Sequence, residues 1–319
     1  MKKIISNMDR EEGRTEKVSL GEFAEKCELK IGIGDKNQSI SFNTMSVNRP
    51  GLFVSGYDEY FASSRVQVIG NAEMYYLFKL DEETRLARFD ALFSKNIPCV
   101  IISRGLSLTS EIRKSAKKHN IPVLLSSKVT SHVSNDIVSF LNELLAPSVS
   151  IHGVFLNINS MGVILTGDSS IGKSETALEL IHRGHKLISD DNVIIKKIGR
   201  ELVGTSPSIT HSFMEIRGLG LIDIERIFGV GAIQEEKIVD MIIKLEPWDD
   251  NFSYDRLGKE IGTTKILGID VPITTIPVTA GRNIALIIEV AAGNLHLRQA
   301  GYFAVEEIEN RLSENKGKE

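Results

Sequence analysis

The sequence predicts an α/β protein built as two domains, and three observations carry that expectation. Its 319 residues amount to about two domains at roughly 150 residues each. Residues 97–125 read as strand, helix and strand, the passage from which α/β domains are assembled. Further on, an apolar strand runs into a glycine-rich turn that opens a helix.

The elements follow in chain order. The first 40 residues are polar and weakly patterned, and glycine-containing turns interrupt short apolar groups through Val68. Residues 97–103 read as a strand with Pro98 near its start, 109–120 as a helix and 121–125 as a second strand. Ile137, Phe140, Leu141 and Leu144 give residues 134–145 the spacing of an amphipathic helix. The division is placed just before it, giving an N-terminal domain over 1–131 and a C-terminal domain over 132–319.

In the second domain, 149–158 and 163–166 read as adjacent strands, followed by a helix over 173–182 with Gly184 near its end. Residues 187–189 form a short strand that ends at Asp190-Asp191, and 193–198 form another. A loop with Pro207 precedes 214–220; 238–245 is a strand, 264–278 is strand-rich, and 283–298 and 303–312 are helical. The charged tail from Ser313 is expected to fray.

Composition excludes several classes. The chain is 42% hydrophobic and 25% charged, as in ordinary globular proteins, so collagen-like and wholly disordered readings fail. A formal net charge of -4 gives no general basic excess that would point to nucleic acid. Two cysteines, Cys27 and Cys99, make no disulfide framework, which fits the reducing cytoplasm. The N-terminus lacks a signal peptide's apolar core, and no segment supplies the ~20 apolar residues of a membrane span.

The decisive segment is Gly167-Asp168-Ser169-Ser170-Ile171-Gly172-Lys173-Ser174. It satisfies G-x-x-x-x-G-K-[ST] between a strand and a helix, the phosphate-loop pattern. Gly167 and Gly172 allow a tight turn that aims successive N–H groups at phosphate oxygens, and the helix N-terminus adds its dipole. Lys173 reaches the β- and γ-phosphates as a point charge, and the Ser174 hydroxyl is a ligand for Mg2+.

Other candidates are ambiguous on local sequence. Asp190 and Asp191 stand at a strand end, where a carboxylate can hold Mg2+ or meet the transferred group; a solvated turn is the alternative. His152, within an apolar strand, can tune an aspartate or be purely structural. Glu215-Ile216-Arg217-Gly218-Leu219-Gly220 can bring a carboxylate to Mg2+ and Arg217 to phosphate, or form a salt-bridged turn. Arg256 and Arg282 are anion-binding candidates on the same footing.

Taken as an ordered set, these residues resemble the bacterial HPr kinase/phosphorylase family. The resemblance runs through His152-Gly153, the phosphate loop with Glu175, Ile188-Ser189-Asp190-Asp191 and residues 215–223. It continues through Phe228-Gly229-Val230-Gly231-Ala232, Tyr254-Asp255-Arg256-Leu257-Gly258, and Pro277-Val278-Thr279 with Gly281-Arg282-Asn283. In the front half, Asn48-Arg49-Pro50-Gly51-Leu52, Gly56-Tyr57, Tyr60-Phe61, Arg65, Gln67, Gly70 and Glu73 extend it.

The resemblance implies a P-loop kinase domain whose nucleotide site resembles that of phosphoenolpyruvate carboxykinase. It implies ATP-dependent phosphorylation of a serine of the phosphocarrier protein HPr, with pyrophosphate as an alternative donor in some relatives. The reverse step is phosphorolysis of phosphoseryl-HPr by inorganic phosphate, releasing pyrophosphate. Mg2+, or Mn2+ in its place, is the implied ion, and a homohexamer the implied assembly. Asp190 is the implied acid/base with His152 supporting its charge state, while Lys173 stabilises the transferring oxygens. Ser174, then Asp191 and Glu215, are the metal candidates; Arg217, Arg256 and Arg282 position phosphate or HPr. Two rivals share the loop: a phosphotransferase with a small-molecule acceptor, and a catalytically silent nucleotide-dependent scaffold. Two departures are visible: Ser170 stands where the family usually has Gly, and Ala280 where it usually has Pro.

Overall fold

A computed structural model describes residues 15–59, 61–249, 261–279 and 281–316. The chain divides into two compact units between Ala146 and Pro147.

The first unit contains, in order, β1 (Glu16–Ser19), α1 (Leu20–Lys26), β2 (Lys30–Ile33), β3 (Ser39–Phe42), β4 (Val47–Asn48), α2 (Gly51–Ser55), β5 (Val66–Ile69) and α3 (Asn71–Phe78). It continues with α4 (Glu82–Phe93), β6 (Val100–Ile102), α5 (Ser110–His119), β7 (Val123–Leu125) and α6 (Thr130–Leu144). Strands β4, β5, β6 and β7 are parallel neighbours and β2 adds an antiparallel edge. The side-chain alternation of a strand divides the core between the two faces of this sheet. Val66, Val68, Ile101 and Leu124 pack with α1 and α6, while Ile69, Val100, Ile102 and Val123 pack with α2 to α5. The strand–helix–strand expected over 97–125 is β6, α5 and β7, with α5 capped by the Thr109 hydroxyl on the Ile112 N–H.

The division falls later than the expected 131/132 because α6 belongs to the first unit. Its Val133, Ile137 and Leu141 are buried in the core shared with α1 and the sheet. The same core holds Cys27 and Cys99, both unpaired; burial pushes the Cys27 thiol up to about 12 and raises Cys99 as well.

The second unit contains β8 (Ser148–His152), β9 (Val154–Ile158), β10 (Met161–Gly167), α7 (Lys173–His182), β11 (Lys186–Ser189), β12 (Asn192–Ile198), β13 (Glu201–Thr205), β14 (Phe213–Ile216) and β15 (Gly220–Asp223). After these come α8 (Ile224–Phe228), β16 (Glu236–Ile238), β17 (Met241–Pro247), β18 (Gly262–Ile266), β19 (Ile269–Val278), α9 (Ile284–Gln299) and α10 (Ala304–Lys316). A six-stranded sheet runs β11-β9-β10-β17-β19-β18, with β10, β17 and β19 parallel at its centre. A four-stranded antiparallel sheet runs β16-β13-β12-β8.

The large sheet has helices on one face and the small sheet on the other. Val163 and Leu165 face Leu180, Ile181, Ile288 and Ala292, whereas Ile164 between them faces Val193, Ile195 and Leu202. Two expected strands divide between the sheets. The apolar run 149–158 breaks at Gly153, where β8 leaves the small sheet and β9 enters the large one. A Cβ on Gly153 would lie 2.4 Å from the Leu165 carbonyl oxygen, so only glycine lets the chain cross there. The run 238–245 likewise divides into β16 and β17. The last helix continues to Lys316, past the expected fraying at Ser313. No helix among the described residues is long and apolar enough to cross a membrane.

Candidate active site

The phosphate loop leaves the C-terminal end of β10, at the centre of the large sheet, and closes at Gly172, whose φ of 94° starts α7. Placed at the carboxyl ends of parallel strands, a loop of this kind opens into a crevice. That crevice is a cleft lined by His152, Ser169, Lys173, Ser174, Asp190 and Glu215, with Asp191, Arg217, Glu175 and the Gly153–Val154 backbone at its walls.

Lys173 is buried, and its ammonium donates to the carbonyl oxygens of Gly167 at 2.9 Å and Asp168 at 3.0 Å. The loop backbone thereby fixes the charge at the floor of the cleft. Ser170 has a φ of 77°, the left-handed region in which glycine sits at least cost. Ile171, within the same loop, packs against the core instead of lining the cleft.

Asp190 is the buried carboxylate of the site, 7% exposed. Its Oδ1 accepts from the Ser174 hydroxyl at 3.3 Å and its Oδ2 from the Glu215 backbone N–H at 3.0 Å. The end of β11, the first turn of α7 and the start of the β14–β15 hairpin are thus tied to one side chain. Burial pushes its pKa above the ordinary aspartate value; the hydrogen bonds from Glu215 and Ser174 oppose that rise, and the charge of Asp191 adds to it.

Asp190 and Asp191 form the bend between β11 and β12, and Asp191, with a φ of 65°, turns its side chain outward. Its carboxylate is 78% exposed and lies 2.9 Å from His152 Nδ1. The same nitrogen is 2.9 Å from the Asp191 carbonyl oxygen. Both partners are acceptors, so Nδ1 carries the proton. The Gly153 N–H also donates to that carbonyl, at 3.1 Å. The sheet crossing at Gly153 therefore sets His152 against Asp191.

Arg217, in the hairpin turn, donates to the Ser169 hydroxyl at 3.3 Å and joins the hairpin to the loop. Arg282 is not brought to the cleft: its guanidinium donates to the Pro277 carbonyl at 3.0 Å. Arg256 and Ala280 lie outside the described residues. Glu175 lines the cleft although the sequence marked it only as a neighbour of the loop. Its position two residues past Lys173, in the first turn of a helix that opens on phosphate, was the available signal.

Among the described residues no three His, Cys, Asp or Glu side chains converge as a metal-binding group. The Ser174 hydroxyl at the start of α7, its proton directed to Asp190, nonetheless suits a hard cation that draws its other ligands from phosphate, water and the carboxylates of Asp191 and Glu215 in the same cleft.

Comparison with known proteins covers both units. Residues 18–141 match the family described as HPr Serine kinase N terminus, and residues 143–312 that described as HPr Serine kinase C-terminal domain. The HPr kinase/phosphorylase of Caldanaerobacter subterraneus subsp. tengcongensis is 42% identical over 298 residues, which cover 93% of this chain and 98% of that one. That of Alkaliphilus metalliredigens is 46% identical over 275 residues, covering 86% and 89% respectively. A solved structure of the HPr(Ser) kinase/phosphatase from Coxiella burnetii is 36% identical, covers 48% of this chain and 99% of its own, and superposes with a TM-score of 0.45.

Proposed function

The chain belongs to the HPr serine kinase family, and from that premise we propose how its cleft performs the family's chemistry. The protein phosphorylates a serine of HPr with ATP and dephosphorylates phosphoseryl-HPr by phosphorolysis. In the forward step the seryl oxygen attacks the γ-phosphorus, the bond to the bridging β–γ oxygen breaks, ADP leaves, and the hydroxyl proton passes to Asp190. In reverse, an oxygen of inorganic phosphate attacks the seryl phosphorus, the seryl O–P bond breaks, and Asp190 returns a proton to the serine; HPr and pyrophosphate are the products.

The observation that carries this reading is the placement of Asp190. One buried carboxylate touches both the phosphate-loop serine and the hairpin, and burial raises its pKa above that of an ordinary aspartate, the direction that suits a group taking up and returning a proton. Lys173 and the loop N–H groups stabilise charge on the transferring oxygens. Ser174 would hold Mg2+ (or Mn2+), with Glu215 and Asp191 as further ligands directly or through water. When bound, that ion neutralises donor phosphate charge. Arg217 orients phosphate from the hairpin; Arg256 is assigned to phosphate or HPr, and Arg282, held on the Pro277 carbonyl outside the cleft, to HPr. On the same reading pyrophosphate is a second donor, the nucleotide site resembles that of phosphoenolpyruvate carboxykinase, and the assembly is a cytoplasmic homohexamer.

A second reading has a specific observation behind it. Asp191 is the accessible carboxylate, and His152 holds it at 2.9 Å, so this pair is the other group able to take the proton of a serine carried on a protein surface. Phosphoryl transfer to HPr measured for Asp190→Asn and Asp191→Asn decides between them. Loss confined to Asp190→Asn supports the first reading. Loss confined to Asp191→Asn, with Asp190→Asn active, rejects it for the second.

A further inference from the structure

The β14–β15 hairpin has two faces of different character. Met214 and Ile216 are 1% and 5% exposed and pack in the helix-side core. The residue between them, Glu215, turns outward and lines the cleft. Leu221 is its partner across the ladder, so the two side chains share the outer face. Leu221 is 69% exposed, and Leu219, in the turn, is 72% exposed.

That turn is built around Leu219. Gly218 and Gly220 flank it with φ of 85° and 81°, and a Cβ on either would meet open space. Backbone conformation, not crowding, is what calls for glycine there. The hairpin is also firmly attached: Glu215 N–H to Asp190, Arg217 to Ser169, and Met214 with Ile216 in the core. A rigidly held hairpin therefore presents two aliphatic side chains to solvent beside an otherwise polar cleft. Ile227 and Val230, 59% and 77% exposed, follow in the segment after it. Single exposed leucines need no explanation, but a group of apolar side chains continuous with a reaction site marks a contact surface.

We propose that Leu219 and Leu221 form the docking surface for the protein substrate, packing on an apolar patch beside its acceptor serine. The inference rests on the reading that the acceptor is a protein. A nucleotide or small acceptor held within the polar cleft has no use for aliphatic side chains outside it. A serine carried on a folded protein must reach phosphorus while the rest of that protein stays at the rim. The cross-strand pairing of Leu221 with Glu215 places the contact there, continuous with the cleft.

The test is steady-state kinetics of Leu219→Asp/Leu221→Asp in the full chain, with ATP affinity and native mass measured alongside. Burying two leucines contributes enough that KM for HPr should rise about tenfold to hundredfold in both reaction directions. The ATP affinity, the saturated rate and the native mass should stay as in the wild type, and Leu219→Met/Leu221→Met should restore KM. An unchanged KM for HPr overturns the inference. So does a smaller native mass, which would make the patch a contact between copies of the chain, or a parallel loss of ATP binding, which would make it structural. A wild-type chain that leaves HPr unmodified overturns the functional reading first, and this inference with it.

Discussion

Replacing Asp190 with Asn should separate chemistry from stability and move them in opposite directions. The substitution keeps shape, and the amide can satisfy both observed partners, its oxygen accepting from the Glu215 N–H and its nitrogen donating to the Ser174 hydroxyl. What disappears is the proposed proton acceptor. General-base catalysis contributes about 10²–10⁴-fold, so the rate of transfer to HPr should fall by that factor, about 3–5 kcal/mol in the barrier. Stability should hold or increase. Burial raises the Asp190 pKa in the folded state, so the stability it lends is present below the unfolded value of about 4 and lost as pH rises through the folded value. Asn removes that loss, and the gap in Tm in favour of the variant should open as pH rises from about 4. The assays are quenched-flow transfer at saturating ATP and calorimetry across pH. A transfer rate within about threefold of wild type would refute the proton-acceptor role. A Tm that falls as the rate falls would show the residue to be structural.

Four further outcomes are expected. Gly153→Ala places a Cβ 2.4 Å from the Leu165 carbonyl oxygen, an overlap expected to cost about 1–3 kcal/mol; thermal unfolding should show it, with reduced transfer as His152 shifts from Asp191, and an unchanged Tm would contradict the sheet crossing. Arg85→Ala removes the guanidinium that pairs with buried Glu111 at 2.6 Å, expected to cost about 2 kcal/mol; faster hydrogen exchange over α4 and α5 is the readout, and unaltered exchange contradicts it. Burial works to raise the Glu111 pKa, but its own backbone N–H, Arg85 and neighbouring hydroxyls prevail and lower it from 4.5 to about 2. Its contribution is therefore present above pH 4.5 and lost as pH falls toward 2, and Glu111→Gln should flatten exchange across that window. Ser170→Gly relieves a φ of 77° but frees the unfolded chain by a similar amount, so Tm should move by less than about 1 kcal/mol's equivalent while the kinase-to-phosphorolysis ratio is compared directly.

How much of this was legible in the sequence follows from the range of the interactions. The phosphate loop was readable because its glycines, Lys173 and Ser174 act within one turn, and the structure places them at the end of β10 as the pattern requires. Asp190-Asp191 were readable as a strand end, but their division into one buried and one exposed carboxylate depends on Glu215, which is 25 residues away in sequence from Asp190. The crossing at Gly153 was hidden because residues 149–158 form one apolar run, and only the approach of Leu165 breaks it. The helix at Thr130–Leu144 was found yet given to the wrong side of the division, since amphipathic spacing does not say which core the apolar face joins. The front half was hard to read because its strands are very short, two residues in β4, and leave no period to detect.

The most direct measurement is the mass of HPr after incubation with this chain, ATP and Mg2+, followed by addition of inorganic phosphate. The expected result is one phosphoryl group on a single serine, then its removal with pyrophosphate released in equal amount. HPr of unchanged mass in the first step, or removal that yields no pyrophosphate in the second, would contradict the assignment.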